Sequence, residues 1–271
     1  MNTTTALVTI SPTKSALVVV DMQNFFLSEA LGRKRGAGHT ACENLVKYAI
    51  PAARKAGMRI VWLNWGLNEE DVEVMPPAVK RAFGFLSIPA QEEFEKDFTA
   101  GLHSMTVDKF GEENVGYKML VLGANGGKVE SKNGQKVEVG RLLMRDTWNA
   151  ALYPPLDSKY EEGKRIEGKP DVWIHKNRMS GMWGASTPMQ EYLVKSGIQT
   201  LLFAGVNTDQ CVGGTLTDAF SNGYDCILLS DGCGTTSPNF AQQCYEYNAA
   251  KTFGFCTSCK EFAHGVENMT E

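Results

Sequence analysis

Cys211, Asp21 and Lys176 are the residues of this 271-residue chain whose types and positions can do chemistry together. Cys211 stands in Gly205-Val-Asn-Thr-Asp-Gln-Cys-Val212, after the apolar run Leu201–Ala204 and before a segment in which Val212, Leu216, Ala219 and Phe220 recur at helical spacing. Such a run reads as a buried parallel strand, so the thiol falls where a strand ends and a helix begins. Unpaired N–H groups and partial positive charge at a helix N-terminus lower a thiol's pKa, which suits a sulfur nucleophile. The plain alternative is that Cys211 is one more small buried side chain, as most free cysteines are.

Asp21 closes the apolar run Ser15–Val20, and Lys176 closes Asp171-Val-Trp-Ile-His-Lys176. Either alone has an ordinary explanation, since a terminal Asp caps helices and a terminal Lys reaches solvent. Ligands of open parallel sheets, however, bind at the carboxyl ends of the strands, where all three residues fall. Together they form a nucleophile set. The carboxylate accepts the thiol proton, the ammonium favours the thiolate and holds the carboxylate, and the sulfur attacks. Strand alternation puts His175 on the face opposite Lys176, and His39, His103 and His264 fall in segments with no place at the strand ends. A Cys–His pair is the poorer reading.

The elements that must position these residues follow from the apolar pattern. Strands are expected at 15–21, 58–65, 171–176, 201–206, 225–230 and 252–256. Helices are expected at 40–57, with Pro51 a kink or restart, at 187–197, after Cys211, and near 240–250. In the second of these, Thr187 or Ser186 is the N-cap, Pro188 lies in the first turn and Gly197 just past the end. Strands alternating with helices give an α/β fold, a doubly wound parallel sheet with right-handed connections. Between about 67 and 155 the pattern degrades, apart from a hairpin over 128–140 turning at Asn133-Gly134. This stretch has no continuous core pattern, so it reads as an insertion at the ligand end of a single domain over 1–271. No internal repeat is visible.

Composition narrows the function classes. A hydrophobic content of 43% and a charged content of 21% are ordinary for a globular protein. The net charge of −4 argues against nucleic acid or a membrane surface as partner, because those need a basic face. No apolar run approaches the roughly 18 residues of a membrane span. Seven cysteines without a signal peptide fit a reducing, cytoplasmic setting. Cys256-Thr-Ser-Cys259 has zinc or redox spacing, but one such pair makes no site, and no metal is expected.

Three motifs in order, Val18-Val-Val-Asp-Met-Gln-Asn24, His175-Lys-Asn-Arg-Met-Ser-Gly181 and Gly205-Val-Asn-Thr-Asp-Gln-Cys-Val212, resemble the isochorismatase-like cysteine hydrolase family. The likeness covers roughly 14–66 and 170–256. It implies an isochorismatase-like, Rossmann-type three-layer sandwich. It also implies Asp21 as general base and acid, Lys176 as supporting cation and Cys211 as nucleophile. A cis peptide at Val206–Asn207 and an oxyanion hole from the Asn207 and Cys211 N–H groups belong to the same expectation. The family's nicotinamidase branch carries an Asp-x-His metal pair where this chain reads Asn64-Trp65-Gly66, which argues against a metal and against nicotinamide.

Gly57–Gly66, Asp146-Thr-Trp148 and Lys176–Gly181 are most similar to the ureidoacrylate and ureido-amide hydrolase branch. Gln23, Asn64, Trp65, Trp148, Met179 and Trp183 are then the candidate substrate-binding residues, although each aromatic has core or interface packing as its ordinary role. The expected protein is a cofactor-independent amidohydrolase that cleaves the C–N bond of a small linear amide or ureido compound through a thioester, working as a homo-oligomer, dimer or tetramer. The alternatives are a vinyl ether hydrolase of isochorismate type, which needs an acid rather than a thiol, and a non-catalytic binding protein on the same fold.

Overall fold

A computed structural model describes residues 1–80, 82–83, 87–89, 102–104, 117–130 and 134–269. Its centre is a six-stranded sheet of β1 (Ser15–Val20), β2 (Arg59–Trp65), β3 (Val172–Lys176), β4 (Thr200–Val206), β5 (Asp225–Gly234) and β6 (Gly254–Thr257). The strands run in the order β3-β2-β1-β4-β5-β6, every neighbouring pair parallel. The order reverses between β1 and β4, so the switch point, where such sheets bind ligands, lies beside Asp21 and the turn after β4.

Burial explains the composition of the central strands. Every residue of β1 and β4 is buried, as their unbroken apolar runs require when helices cover both faces. Right-handed crossovers put the helical run Ala37–Lys55 and the helix Leu156–Gly163 on one face. The helices Pro188–Lys195, Gly213–Ser221 and Asn239–Asn248 then cover the other. The helix Cys259–Glu267 returns to the first face and packs on the run Ala37–Lys55.

Several expected boundaries are corrected. The run Ala37–Lys55 is continuous, and Pro51 is accommodated by a π-helical segment, Leu45–Ala49, just before it. Strand β5 continues past Ser230 to Gly234 through a register shift between Leu228 and Cys233. Strand β6 starts at Gly254, because Thr252 and Phe253 still belong to the helical turn before it. Thr187 caps its helix as expected, accepting the Gln190 N–H at 3.2 Å. In the inserted stretch, Lys128–Glu130 and Lys136–Glu138 pair antiparallel as a hairpin, while its turn at Asn133 lies outside the described residues. His103 falls there too, in a three-residue strand whose side chains are not described.

Candidate active site

Side chains from β1, β3 and the turn after β4 converge at the carboxyl end of the sheet. Lys176, the last residue of β3, places Nζ 2.9 Å from Asp21 Oδ2, with both side chains almost wholly shielded from water. Its ammonium also donates to the carbonyls of Arg178 at 3.0 Å and Met179 at 3.1 Å. The approach to Asp21 is a charge contact out of hydrogen-bond alignment, and Oδ2 keeps no aligned hydrogen bond.

Asp21 follows β1 with φ 50°, a left-handed conformation uncommon away from glycine. This turns its carboxylate off the alternation of the strand, and Oδ1 accepts the backbone N–H of Trp65 at 2.9 Å. Burial raises the Asp21 pKa above the ordinary carboxylate value, against the pull of the Lys176 charge, the neighbouring Cys211 thiol and the Trp65 backbone N–H.

Cys211 lies in the helical turn Thr208–Val212, which runs on into Gly213–Ser221. Its sulfur accepts the Trp65 indole N–H at 3.5 Å and lies 3.3 Å from the Met179 sulfur. Burial pushes the thiol up to about 12, with Lys176 lowering it and the Asp21 charge raising it further. The expectation of a thiol acidified by a helix N-terminus is therefore corrected: desolvation outweighs the helix end. The direction of that shift favours the protonated thiol, whose hydrogen points toward the Met179 sulfur in the resting structure. The Val206–Asn207 peptide before it is cis, and the Asn207 side-chain Nδ2 donates to Gln210 Oε1 at 3.3 Å.

The candidate substrate-binding residues are dispersed. Trp65 and Met179 touch the thiol directly. Gln23 is fully buried, and its Nε2 donates to the carbonyls of Trp65 at 2.8 Å and Ala150 at 2.6 Å, so it ties the end of β2 to the inserted stretch. Asn64 is fully buried with both side-chain polar atoms lacking an aligned partner, and it shares its sheet face with His175 rather than with Lys176. Trp148 is half-buried, with its carbonyl held by Asn24 Nδ2 at 2.9 Å. Trp183 is 51% exposed, bonded to Asn177 Oδ1 and lying under the Arg178 guanidinium.

A cavity of about 550 Å³ opens beside this centre, lined by Trp65, Arg145, Trp148, Tyr160, Trp173 and His175 among others. Its His175 wall is the β3 face opposite Lys176, so Trp65 is the residue common to the cavity and the thiol. Arg145 is held there by its Nε, which donates to the Gly66 carbonyl at 2.9 Å. Sequence reasoning missed Arg145, although it directly precedes the Asp146-Thr-Trp148 element that it did single out. His175 bonds Trp173 Nε1 through Nδ1 at 3.2 Å, and its pKa is lowered chiefly by burial. His39 is a core histidine bonded to the Leu27 carbonyl at 2.9 Å, and His264 is exposed. Among the described residues no group of three or more His, Cys, Asp or Glu has the geometry to hold a metal ion, and no helix is long and apolar enough to cross a membrane.

Comparison with known proteins places this arrangement. The sequence signature described as Isochorismatase domain matches residues 116–261, which include Lys176 and Cys211. The ureidoacrylate amidohydrolase RutB of Klebsiella variicola is 29% identical over 268 residues, covering 97% of this chain and 91% of that protein. RutB of Rhizobium rhizogenes is 27% identical over 264 residues, covering 96% and 86%. Among solved structures, a cysteine hydrolase from Pseudomonas syringae pv. phaseolicola matches with a TM-score of 0.62 at 17% identity, over 98% of this chain and 99% of that one. Nicotinamidase/pyrazinamidase PncA from Bacillus subtilis matches with a TM-score of 0.59 at 17% identity, over 90% and 100%. The structural likenesses carry the fold, and the signature covers more than half of the sequence: the chain belongs to the isochorismatase family.

Proposed function

We propose that the protein is an amidohydrolase that cleaves the C–N bond of a small linear amide or ureido compound by way of a Cys211 thioester. The observation that carries this reading is the buried contact set of one thiol, one carboxylate of raised pKa and one ammonium at the switch point of the sheet. The amidohydrolase names of the relatives that cover almost all of the chain support it.

Asp21 removes the Cys211 proton as the sulfur attacks the substrate carbonyl; the S–C bond forms and the carbonyl π pair moves onto oxygen. The Asn207 and Cys211 N–H groups, at the start of the helical run after β4, hold that oxyanion. When the tetrahedral species collapses, the C–N bond breaks and protonated Asp21 gives its proton to the leaving nitrogen. A water then attacks the thioester, losing its proton to Asp21; the S–C bond breaks and the thiolate takes that proton back. Lys176 stabilises both the carboxylate before the transfer and the sulfur anion after it.

Release of ammonia or amine from a panel of carboxamides, ureides and carbamoylated acids, with ureidoacrylate as its first member, tests the reading. Cys211→Ala is expected to lower kcat by about a thousandfold or more on every accepted compound. Turnover that survives the substitution overturns it, and release of pyruvate from isochorismate instead would favour the vinyl ether reading.

A further inference from the structure

Trp65 touches each of the three reactive groups through a different part of itself. Its backbone N–H donates to Asp21 Oδ1 at 2.9 Å, its indole N–H donates to Cys211 Sγ at 3.5 Å, and the Lys176 ammonium sits 4.1 Å from its ring centroid. The side chain is fully buried, and the Phe83 ring packs edge-on against it with centroids 5.4 Å apart. Trp65 also lines the cavity, but its only polar hydrogen is directed at the nucleophile.

We propose that Trp65 is a catalytic residue, whose indole N–H holds the negative charge that appears on the Cys211 sulfur as its proton leaves, and whose ring face holds the Lys176 ammonium in place. The proposal rests on the thiol-nucleophile reading and goes beyond it. Bringing an ammonium and a sulfur to one indole is electrostatically consistent. The face of the ring is its negative side and attracts the cation, while the N–H is its positive edge and faces the anion. A hydrogen bond to a charged group is worth roughly twice one to a neutral group. The indole therefore does more for the thiolate than for the resting thiol, the differential binding that accelerates a step. The backbone N–H to Asp21 persists in any substitution, so the side chain can be tested without moving the base.

Trp65→Phe keeps an aromatic face and removes the donor. It is expected to lower kcat by about 10- to 100-fold with KM changed little. It should slow carbamidomethylation of Cys211 by iodoacetamide at pH 8 by a similar factor, with the exposed Cys244 thiol labelling at the wild-type rate in the same sample. A purely structural role would slow or speed both thiols together. Should the variant not fold, the wild-type chain offers a direct readout: of the five tryptophan indole N–H signals in a nitrogen-15 spectrum, one moves and exchanges faster with solvent in Cys211→Ala. Unchanged kcat with raised KM in Trp65→Phe overturns the proposal in favour of a substrate wall, as do unchanged labelling of Cys211 or five unmoved indole signals in Cys211→Ala. Turnover that survives Cys211→Ala would instead bring down the nucleophile reading beneath it.

Discussion

In the proposed mechanism Cys211 begins the cycle protonated, burial pushing its thiol up to about 12, and Asp21 is the base, a carboxylate whose pKa burial has raised. The raised Asp21 pKa makes that carboxylate a stronger base, whereas the raised thiol pKa makes the proton harder to remove, so the two shifts act in opposite directions on the transfer. The working form of that mechanism needs Asp21 ionised, so activity should be lost as pH falls through its folded-state value. Because burial is the largest cause and acts upward, the acid limb of kcat/KM should lie above the ordinary Asp value of about 3.9. Lys176 opposes that rise, so Lys176→Met should move the limb to higher pH by about one unit or more and lower the plateau. A limb that stays put in Lys176→Met would mean that the ammonium does not set the charge of the base. The convergence of the three residues was legible in the sequence because Asp21 and Lys176 close apolar runs and Cys211 follows one within a few residues, and strand ends are where such sheets bind ligands. Their protonation states were not, because the balance between a helix end and desolvation depends on burial that no spacing reveals.

At the scale of elements, the turn geometry that aims Asp21 depends on how closely β4 approaches β1. Gly205 pairs with Val20 at φ 121°, and a Cβ there would meet the Val20 carbonyl oxygen at 2.0 Å. Backbone cannot move aside as the end of a side chain can. Gly205→Ala should therefore cost about 3 kcal/mol or more of stability, read from the urea midpoint, and should lower kcat by disturbing the residues on either side of the switch point. A near-wild-type midpoint would show that the two strands can separate without consequence. Strand β4 was readable as a continuous apolar run, yet other elements hid for specific reasons. The end of β5 carries Asp231-Gly-Cys-Gly234, which looks like a loop and becomes strand only through a register shift. The helix Cys259–Glu267 has its Ser258 cap and buried Phe262 and Val266, but it is short and follows the last strand, where nothing downstream demands a crossover. The face on which Asn64 lies became decidable only once β2 was paired with β3, because register fixes which residues share a side.

Across the whole molecule, the sheet is fastened at one end and carries the candidate site at the other. Asp171, just before β3, is buried and accepts the Arg54 guanidinium at 3.0 Å and the Trp62 indole N–H at 3.0 Å. Arg54 comes from the helix after β1, Trp62 from β2, and the same Arg54 nitrogen also donates to the Lys159 carbonyl at 2.5 Å. Edge strand β3 is thus pinned at its amino end to two layers of the fold, while its carboxyl end delivers Lys176. Gly163 leaves room for the pin, since a Cβ there would lie 1.9 Å from Asp171 Oδ2. Removing the carboxylate leaves Arg54 and Trp62 without their shared partner in a largely water-free place. Arg54 keeps some solvent access and its looser contact to Glu162, which tempers the loss. Asp171→Ala should therefore lower stability by about 2 kcal/mol, seen in the urea midpoint. The strand between pin and site remains paired to β2 over Val61–Trp65, so Lys176 stays in register and kcat/KM well below the melting temperature should remain close to wild type. The opposite outcome, a collapsed kcat/KM with the midpoint unmoved, would mean that the far end of the edge strand positions the ammonium directly and that fastening and chemistry are not separable in this sheet.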